Sequence, residues 1–256
     1  MKQNNHDELE KRHISEKTFH DHKYSQTKQK SFYALGFKSI IFDNMLQKIG
    51  DIRNKKVLEF GCGNGWQTKI LASKGAEVWA FDISDIAVKK TSKLMDDMNL
   101  QDRVHVDQMP AEKLAYESDM FDVLVGNAIL HHLDLNVAMR EIHRVLKKGG
   151  KAYFLEPLGY NPFINLFRRF TPDIRTKDET PLRLKHFDVI RKIFPKFEHE
   201  EYYFLTLLSF FWYFLIRKDD LFIKSRNFLF ALDTALLKKF PSLKKYCWYT
   251  ILMVEK

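Results

Sequence analysis

Between residues 56 and 157 the chain alternates short β-rich apolar runs with stretches of helical periodicity. Lys56–Phe60 (KVLEF) predicts a strand, followed by a glycine cluster and a helix over Trp66–Lys74. Ala76–Phe81 (AEVWAF) predicts the next strand, with a helix over Asp85–Met98 behind it. Val104–Asp107 and Phe121–Gly126 (FDVLVG) follow as strands, Leu135–Leu146 as an amphipathic helix, and Lys151–Glu156 (KAYFLE) as a fifth strand. Lys148-Gly149-Gly150 reads as the stop of that amphipathic helix, with glycine in its C-cap region. Strands alternating with helices imply a parallel sheet covered on both faces, hence a doubly wound α/β architecture.

The last hundred residues break this rhythm. Pro157, Pro162, Pro172 and Pro181 punctuate what reads as an irregular connection from 157 to 185. A helix is expected over Phe187–Phe194, a strand over Phe197–Phe204, two or three apolar helices over 205–240, and a final strand over Tyr246–Val254. The first 30 residues are polar and expected to be helical in part. They lack the apolar stretch of a signal peptide. The longest uncharged apolar run, Tyr202–Ile216, has 15 residues. That is short of the roughly 18–20 needed to cross a bilayer, so a buried segment or an interfacial helix is expected.

Composition narrows the class. A chain of 256 residues that is 45% hydrophobic can bury an ordinary core and is not predominantly disordered. Two cysteines far apart, Cys62 and Cys247, exclude a disulfide scaffold and point to a reducing, cytosolic setting. The formal charge of +9 is unevenly spread. Residues 57–156 are slightly acidic, the two flanks are basic, and 15 of the 22 phenylalanines lie at or after Phe154. Basicity of this kind raises nucleic acid and membrane as partners without choosing between them.

The candidate chemistry sits at the end of the first strand. Glu59-Phe60-Gly61-Cys62-Gly63-Asn64-Gly65 places three glycines at alternate positions, which lets the backbone turn tightly and approach a ligand. In open α/β sheets this carboxyl end of the strands is where ligands bind. A dinucleotide fingerprint would need glycine at 66, where Trp66 stands. Asp82 ends the second strand, placed to accept both hydroxyls of a ribose. With Glu59 at the start of the loop, the site suits a cationic ligand better than a pyrophosphate.

VLEFGCGNG (57–65) and VWAFDIS (78–84) resemble the class I S-adenosylmethionine-dependent methyltransferases. AEKLAYESDMFDVLVGNAILHHL (111–133) and REIHRVLKKGGKAYFLEP (140–157) extend the resemblance over 57–157. It is nearest to the broad group of ubiquinone-pathway, menaquinone-pathway and other small-molecule methylases. The resemblance implies a mostly parallel, seven-stranded Rossmann-like sheet. Because the family joins its last two strands by a short hairpin, it also implies an apolar helical insertion, 205–240, before the last strand. An N-terminal lid, 1–45, would precede a methyltransferase domain, 46–256.

The implied cofactor is S-adenosyl-L-methionine. Gly61, Cys62, Gly63 and Gly65 would line its methionine and ribose portions, with Glu59 on the amino-group side. Asp82 would hold the ribose hydroxyls, Ile83 would pack on the adenine, and Ala111 and Glu112 would flank its edge. Asn127 would contact the methionine portion. Many relatives carry Asp just before the Ala-Glu pair, where this chain has Met109-Pro110, so the adenine amino group would fall to the Ala111 backbone or Asp107.

His131, His132 and His20 are the candidate bases, with packing or capping as the alternative. No metal is expected, since no further ligand stands at suitable spacing beside the histidine pair. Arg168, Arg169, Arg175, Arg183 and Lys185 are candidates for anion recognition, with a solvated basic loop as the alternative.

The expected reaction is methyl transfer to a small apolar or amphipathic molecule such as a lipid, quinone or glycan-linked intermediate. The alternatives are an RNA or protein methylase and a non-catalytic scaffold. Nucleic acid is disfavoured, because GNAILHHL replaces the Asn/Asp-Pro-Pro-Tyr/Phe signature of many nucleic-acid methylases. A cytoplasmic location is expected. Residues 205–240, with Arg217, Lys218, Lys224, Arg226, Lys238 and Lys239 along them, are the candidate for peripheral contact at the inner face of the membrane.

Overall fold

Seven strands form one sheet in the order β3-β2-β1-β4-β5-β7-β6. They are β1 (Lys56–Phe60), β2 (Glu77–Asp82), β3 (Val104–Gln108), β4 (Phe121–Asn127), β5 (Leu146–Pro157), β6 (Lys196–Tyr202) and β7 (Tyr249–Glu255). Only β7 runs antiparallel, pairing with β5 on one side and β6 on the other. The architecture comes from a computed structural model that describes residues 2–25, 37–172, 175–176, 179–209 and 219–256.

Burial on both faces explains the continuous apolar runs of the central strands. In β1, Val57 joins the core cluster on one face with Val78, Val125 and Ile251, under Ile41 and Met45 of α2 (Phe37–Ile49). Its neighbour Leu58 joins the cluster on the other face, with Leu124, Met139, Ile142 and Ile190. With α2, the faces are covered by α3 (Trp66–Ser73), α4 (Asp85–Asp97), α5 (Leu135–Val145) and, beyond α6 (Pro162–Phe170), α7 (Leu184–Ile193). The reversal of strand order between β1 and β4 opens a crevice at their carboxyl ends. Phe60 lies opposite both Phe81 and Gly126, so the three strand ends meet there.

Three expectations are corrected. α5 ends at Val145 with Leu146 already extended, so Gly149 and Gly150 are not its cap. They form an irregularity near the start of β5, whose register against β4 shifts between Phe121 and Val123. The connection 157–185 is not irregular throughout, because it contains α6. Asn161 caps that helix by accepting from the Ile164 N–H, and Pro162 takes the first turn, where a missing N–H costs nothing. The final strand starts at Tyr249, after a 3-10 segment over Pro241–Tyr246.

Two further segments frame the site. α1 (Lys2–Ser25) lies against the start of α4, where Asp21 accepts from the Ser84 hydroxyl and Lys17 pairs with Asp85. α2 belongs to the core, so a boundary at 45 falls inside a packed helix. Between β6 and β7 the described residues form a 3-10 turn, Thr206–Ser209, and α8 (Asp219–Lys239). The buried Asp233 of α8 accepts from the backbone N–H groups of Phe204, Leu205 and Thr206 and from the Thr206 hydroxyl. That carboxylate fixes α8 to the segment leaving β6. Residues 210–218, which include the end of the Tyr202–Ile216 run, Arg217 and Lys218, lie outside the described residues.

Candidate cofactor and substrate site

The chain leaves β1 through Gly61 and Gly63, both with positive φ (73° and 56°). A Cβ at Gly63 would stand 2.8 Å from the Tyr24 hydroxyl oxygen, and one at Gly61 would stand 3.2 Å from Ile129 Cδ1. Glycine is required at both by conformation and by space. Gly65 is different. It also has positive φ, but it faces Thr91 and Leu94 of α4 and serves the turn into α3 outside the cavity lining.

Asp82 closes β2 directly opposite this turn. Its Oδ2 accepts from the Gly63 N–H at 3.0 Å and its Oδ1 from the Ser84 N–H at 3.0 Å. The carboxylate thus braces the glycine turn and keeps lone pairs for a ligand. Glu59 is fully enclosed and accepts only from the Thr68 hydroxyl, at 2.6 Å. Burial pushes its pKa up to about 8, with the Thr68 bond pulling down and the Asp82 charge adding to the rise.

That shift has a measurable sign. Between the ordinary value of 4.5 and about 8, unfolded Glu59 releases a proton that the folded chain keeps. Its contribution to stability therefore falls as pH rises through this window and is constant above it. Glu59→Gln is expected to gain stability relative to the parent from pH 5 to pH 8, with the gap steady beyond. Urea unfolding of both proteins at each pH checks this, and parallel curves would remove the shift.

These groups open into a cavity of about 630 Å³. Glu59, Gly61, Cys62, Gly63 and Asp82 line its inner end, and Ile83, Ala111 and Glu112 one wall. Asn127 lines it from the end of β4, followed by Ala128 at φ 58°, a strained conformation for a non-glycine residue. Glu112 is already engaged, with Oε2 3.1 Å from His13 Nε2 and Oε1 accepting from the Asp134 N–H. Asp107 accepts from the Tyr116 hydroxyl and is not among the lining residues. Gln67 of α3 lines the inner end, and both polar atoms of its buried side chain lack a partner.

α1 covers the outer half with Arg12, Glu16, Phe19, His20, Lys23 and Tyr24, of which only His20 was singled out from the sequence. Glu16, 5% exposed, has an oxygen 3.3 Å from His132 Nδ1 and 3.4 Å from His20 Nε2. Neither contact is well aligned as a hydrogen bond. Burial alone would raise the Glu16 pKa, but the facing imidazoles hold it well below the carboxylate range. Burial, together with the charge of neighbouring His131, pushes His132 down to about 4 against the pull of Glu16. Beneath the pair, Glu156 accepts from the Ile129 and Leu130 N–H groups and lies 2.7 Å from His131 Nδ1. His131 Nε2 is 4.0 Å from Glu179. Three donor atoms thus gather within 4.8 Å at Glu16–His20–His132 and again at His131–His132–Glu179, a juxtaposition that spacing along the chain does not show.

The order of the strands, the glycine turn after β1 and the acidic end of β2 define a class I methyltransferase fold. Residues 58–154 match the family described as the methyltransferase domain, and over this stretch the chain is similar to the class I S-adenosylmethionine-dependent methyltransferases. The ubiquinone biosynthesis O-methyltransferase of Pseudomonas syringae pv. tomato is 31% identical over 147 residues, a match covering 52% of this chain. The chain spans 62% of that relative's length.

Among solved structures, phosphoethanolamine N-methyltransferase 2 of Haemonchus contortus superposes with a TM-score of 0.62 at 16% identity, over 86% of this chain and 52% of that one. Geranyl diphosphate C-methyltransferase of Streptomyces coelicolor A3(2) gives 0.61 at 14%, over 85% and 79%. At these identities the two structures establish the fold.

Proposed function

We propose that the protein transfers a methyl group from S-adenosylmethionine to a small-molecule acceptor. The observation that carries this reading is the convergence of the glycine turn, Glu59 and Asp82 on one end of a cavity whose other end holds imidazoles. The cofactor fits the residues present. Among the described residues, the buried Glu59 has no cationic partner and the Gln67 amide has no partner, and glycine Cα atoms form the floor. When bound, S-adenosylmethionine supplies an activated methyl group. Gly61, Cys62, Gly63, Glu59 and Asn127 would hold its methionine and ribose portions, Asp82 its hydroxyls, and Ile83, Ala111 and Glu112 its adenine.

The protein's contribution is then position and exclusion of water. α1 roofs the cavity, and the half-buried Tyr24 closes it over Gly63. His132 is neutral at pH 7 and can take the acceptor's proton, with Glu16 and His20 beside it. Glu156 and Arg12, which donates to the His132 carbonyl, hold that loop in place.

A roofed cavity favours a small acceptor over RNA or protein, and the small-molecule substrates named for the relatives support the same choice. Its apolar outer wall, with Phe19, Ile164, Phe167 and Trp248, supports an apolar portion on that acceptor. No helix among the described residues is long and apolar enough to cross a membrane. The outward faces of α6 (Phe163 and Phe170, 66% and 75% exposed) and α8 (Phe228) support peripheral contact with an anionic bilayer.

Calorimetry with S-adenosylmethionine tests the first step, and labelled methyl incorporation into fractionated extracts tests the second. Binding with label in the small-molecule fraction is expected. Absence of binding, or label only in RNA or protein, would overturn the reading. Failure to float with anionic liposomes would remove the membrane contact alone.

A further inference from the structure

The cavity carries cations as well as acids. Its inner end carries Glu59 and Asp82, whereas Arg12 and Lys23 reach its outer half from α1, and Arg175 reaches it from the connection after α6. Among the described residues, none of these three cations has a carboxylate oxygen within ion-pair distance, and the acids around them are taken. Glu16 faces His20 and His132, Glu112 holds His13 and the Asp134 N–H, and Glu179 approaches His131.

What the cations do touch leaves donors over. Arg12 donates to the His132 carbonyl, and among the described residues its buried Nε has no partner. Arg175 donates to the Thr171 hydroxyl at 2.7 Å and lies over the Phe167 ring, and its Nε is likewise buried and unpartnered. Lys23 lies over the Phe19 ring, and burial holds its ammonium below the usual lysine range. The three side chains line the cavity, and the donors they do not spend on these contacts can turn to an anion bound there.

Each of the three cations lies on the cavity with a link to the candidate base. Arg12 touches the His132 backbone, and Thr176, next to Arg175, has its hydroxyl oxygen 3.3 Å from His132 Nδ1. Lys23 is one turn beyond His20, whose ring centroid is 5.5 Å from that of His132. Two guanidinium groups and an ammonium match a tetrahedral oxyanion, with planar donor pairs for its oxygens and a point charge for the remainder.

We propose that Arg12, Lys23 and Arg175 bind a phosphate group carried by the methyl acceptor, so that the substrate is a phosphate ester or diphosphate whose methylated atom lies beside His132. This rests on the methyltransferase reading. The test titrates inorganic phosphate and pyrophosphate calorimetrically into the protein, both free and saturated with S-adenosylhomocysteine. Saturable binding is expected, weakened at least about tenfold in Arg175→Gln and in Arg12→Gln, and restored only in part in Arg175→Lys, which keeps the charge but loses the planar donor pair. Affinity for S-adenosylhomocysteine and the melting temperature of Arg175→Gln should match the parent.

No saturable binding of either anion to the parent, or undiminished binding by folded Arg→Gln variants, overturns the proposal. Arg175-dependent anion binding without S-adenosylhomocysteine binding would instead sink the methyltransferase reading and leave the anion site standing. Dihexanoyl phosphatidic acid and glycerol 3-phosphate then separate two sources of the phosphate. Displacement of pyrophosphate mainly by the lipid assigns a lipid headgroup, and equal displacement assigns a soluble ester. Displacement by neither counts against a phosphate-bearing acceptor.

Discussion

Asp82→Ala is expected to weaken S-adenosylmethionine binding by at least about 100-fold, the largest effect on affinity of any single substitution at the inner end of the cavity. The carboxylate is buried, and its two oxygens already brace the Gly63 and Ser84 N–H groups at 3.0 Å. Two ribose hydroxyls would add two bonds to a charged acceptor, each worth about 1.5–3 kcal/mol, and every 1.4 kcal/mol is about tenfold. Part of the loss could come through a loosened glycine turn, and a second ligand separates the two causes. A 2′-deoxy analogue of the cofactor should bind the parent more weakly than S-adenosylmethionine does, whereas Asp82→Ala should no longer distinguish them. Calorimetry on both proteins with both ligands reads this directly. A variant that still discriminates between the ligands would show that Asp82 braces the turn without holding the ribose.

The inner end of the site was legible because its parts are close in sequence and each is tied to a strand end. Val57–Phe60 is buried on both faces and so reads as a central strand, and the glycines that follow have no other use than a tight turn. Asp82 could be placed from the end of β2 alone. The outer end draws on α1, more than 100 residues from His132 along the chain. A signal was present there. Arg12, Glu16, Phe19, His20 and Lys23 follow spacings of three and four, which put them on one helix face. The lid was expected from the family resemblance alone, since a polar face reads equally well as solvated surface, and the fold places these side chains on the cavity. α6 was missed for a related reason. Pro162 reads as a break, yet with Asn161 before it the same residue starts a helix. The glycines at 149 and 150 misled in the opposite sense, because they suit an irregular strand entrance as well as a helix stop.

Turnover should depend most on His132. His132→Gln is expected to lower kcat by about 10²–10⁴-fold, the range for loss of a positioned general base, with cofactor affinity retained. The effect of His20→Gln should be smaller, since His20 meets the network through Glu16. The pH profile separates a base from a packing residue. An unperturbed imidazole would give kcat/KM an ascending limb near 6.5. Here burial and the neighbouring His131 hold His132 near 4, so the parent's limb should lie near pH 4, with a plateau through pH 8. The sign follows from the protonated form, which cannot accept a proton and is populated only below that value. With the acceptor recovered by methyl incorporation, the limb near 4 should disappear in His132→Gln along with most of the rate. A limb near 6.5 that survives the substitution would place the base elsewhere. The depressed value also fits an anionic acceptor. A protonated His132 beside Arg12, Lys23 and Arg175 would add a fourth positive charge, and keeping it neutral leaves the phosphate to those three cations and the imidazole to the proton.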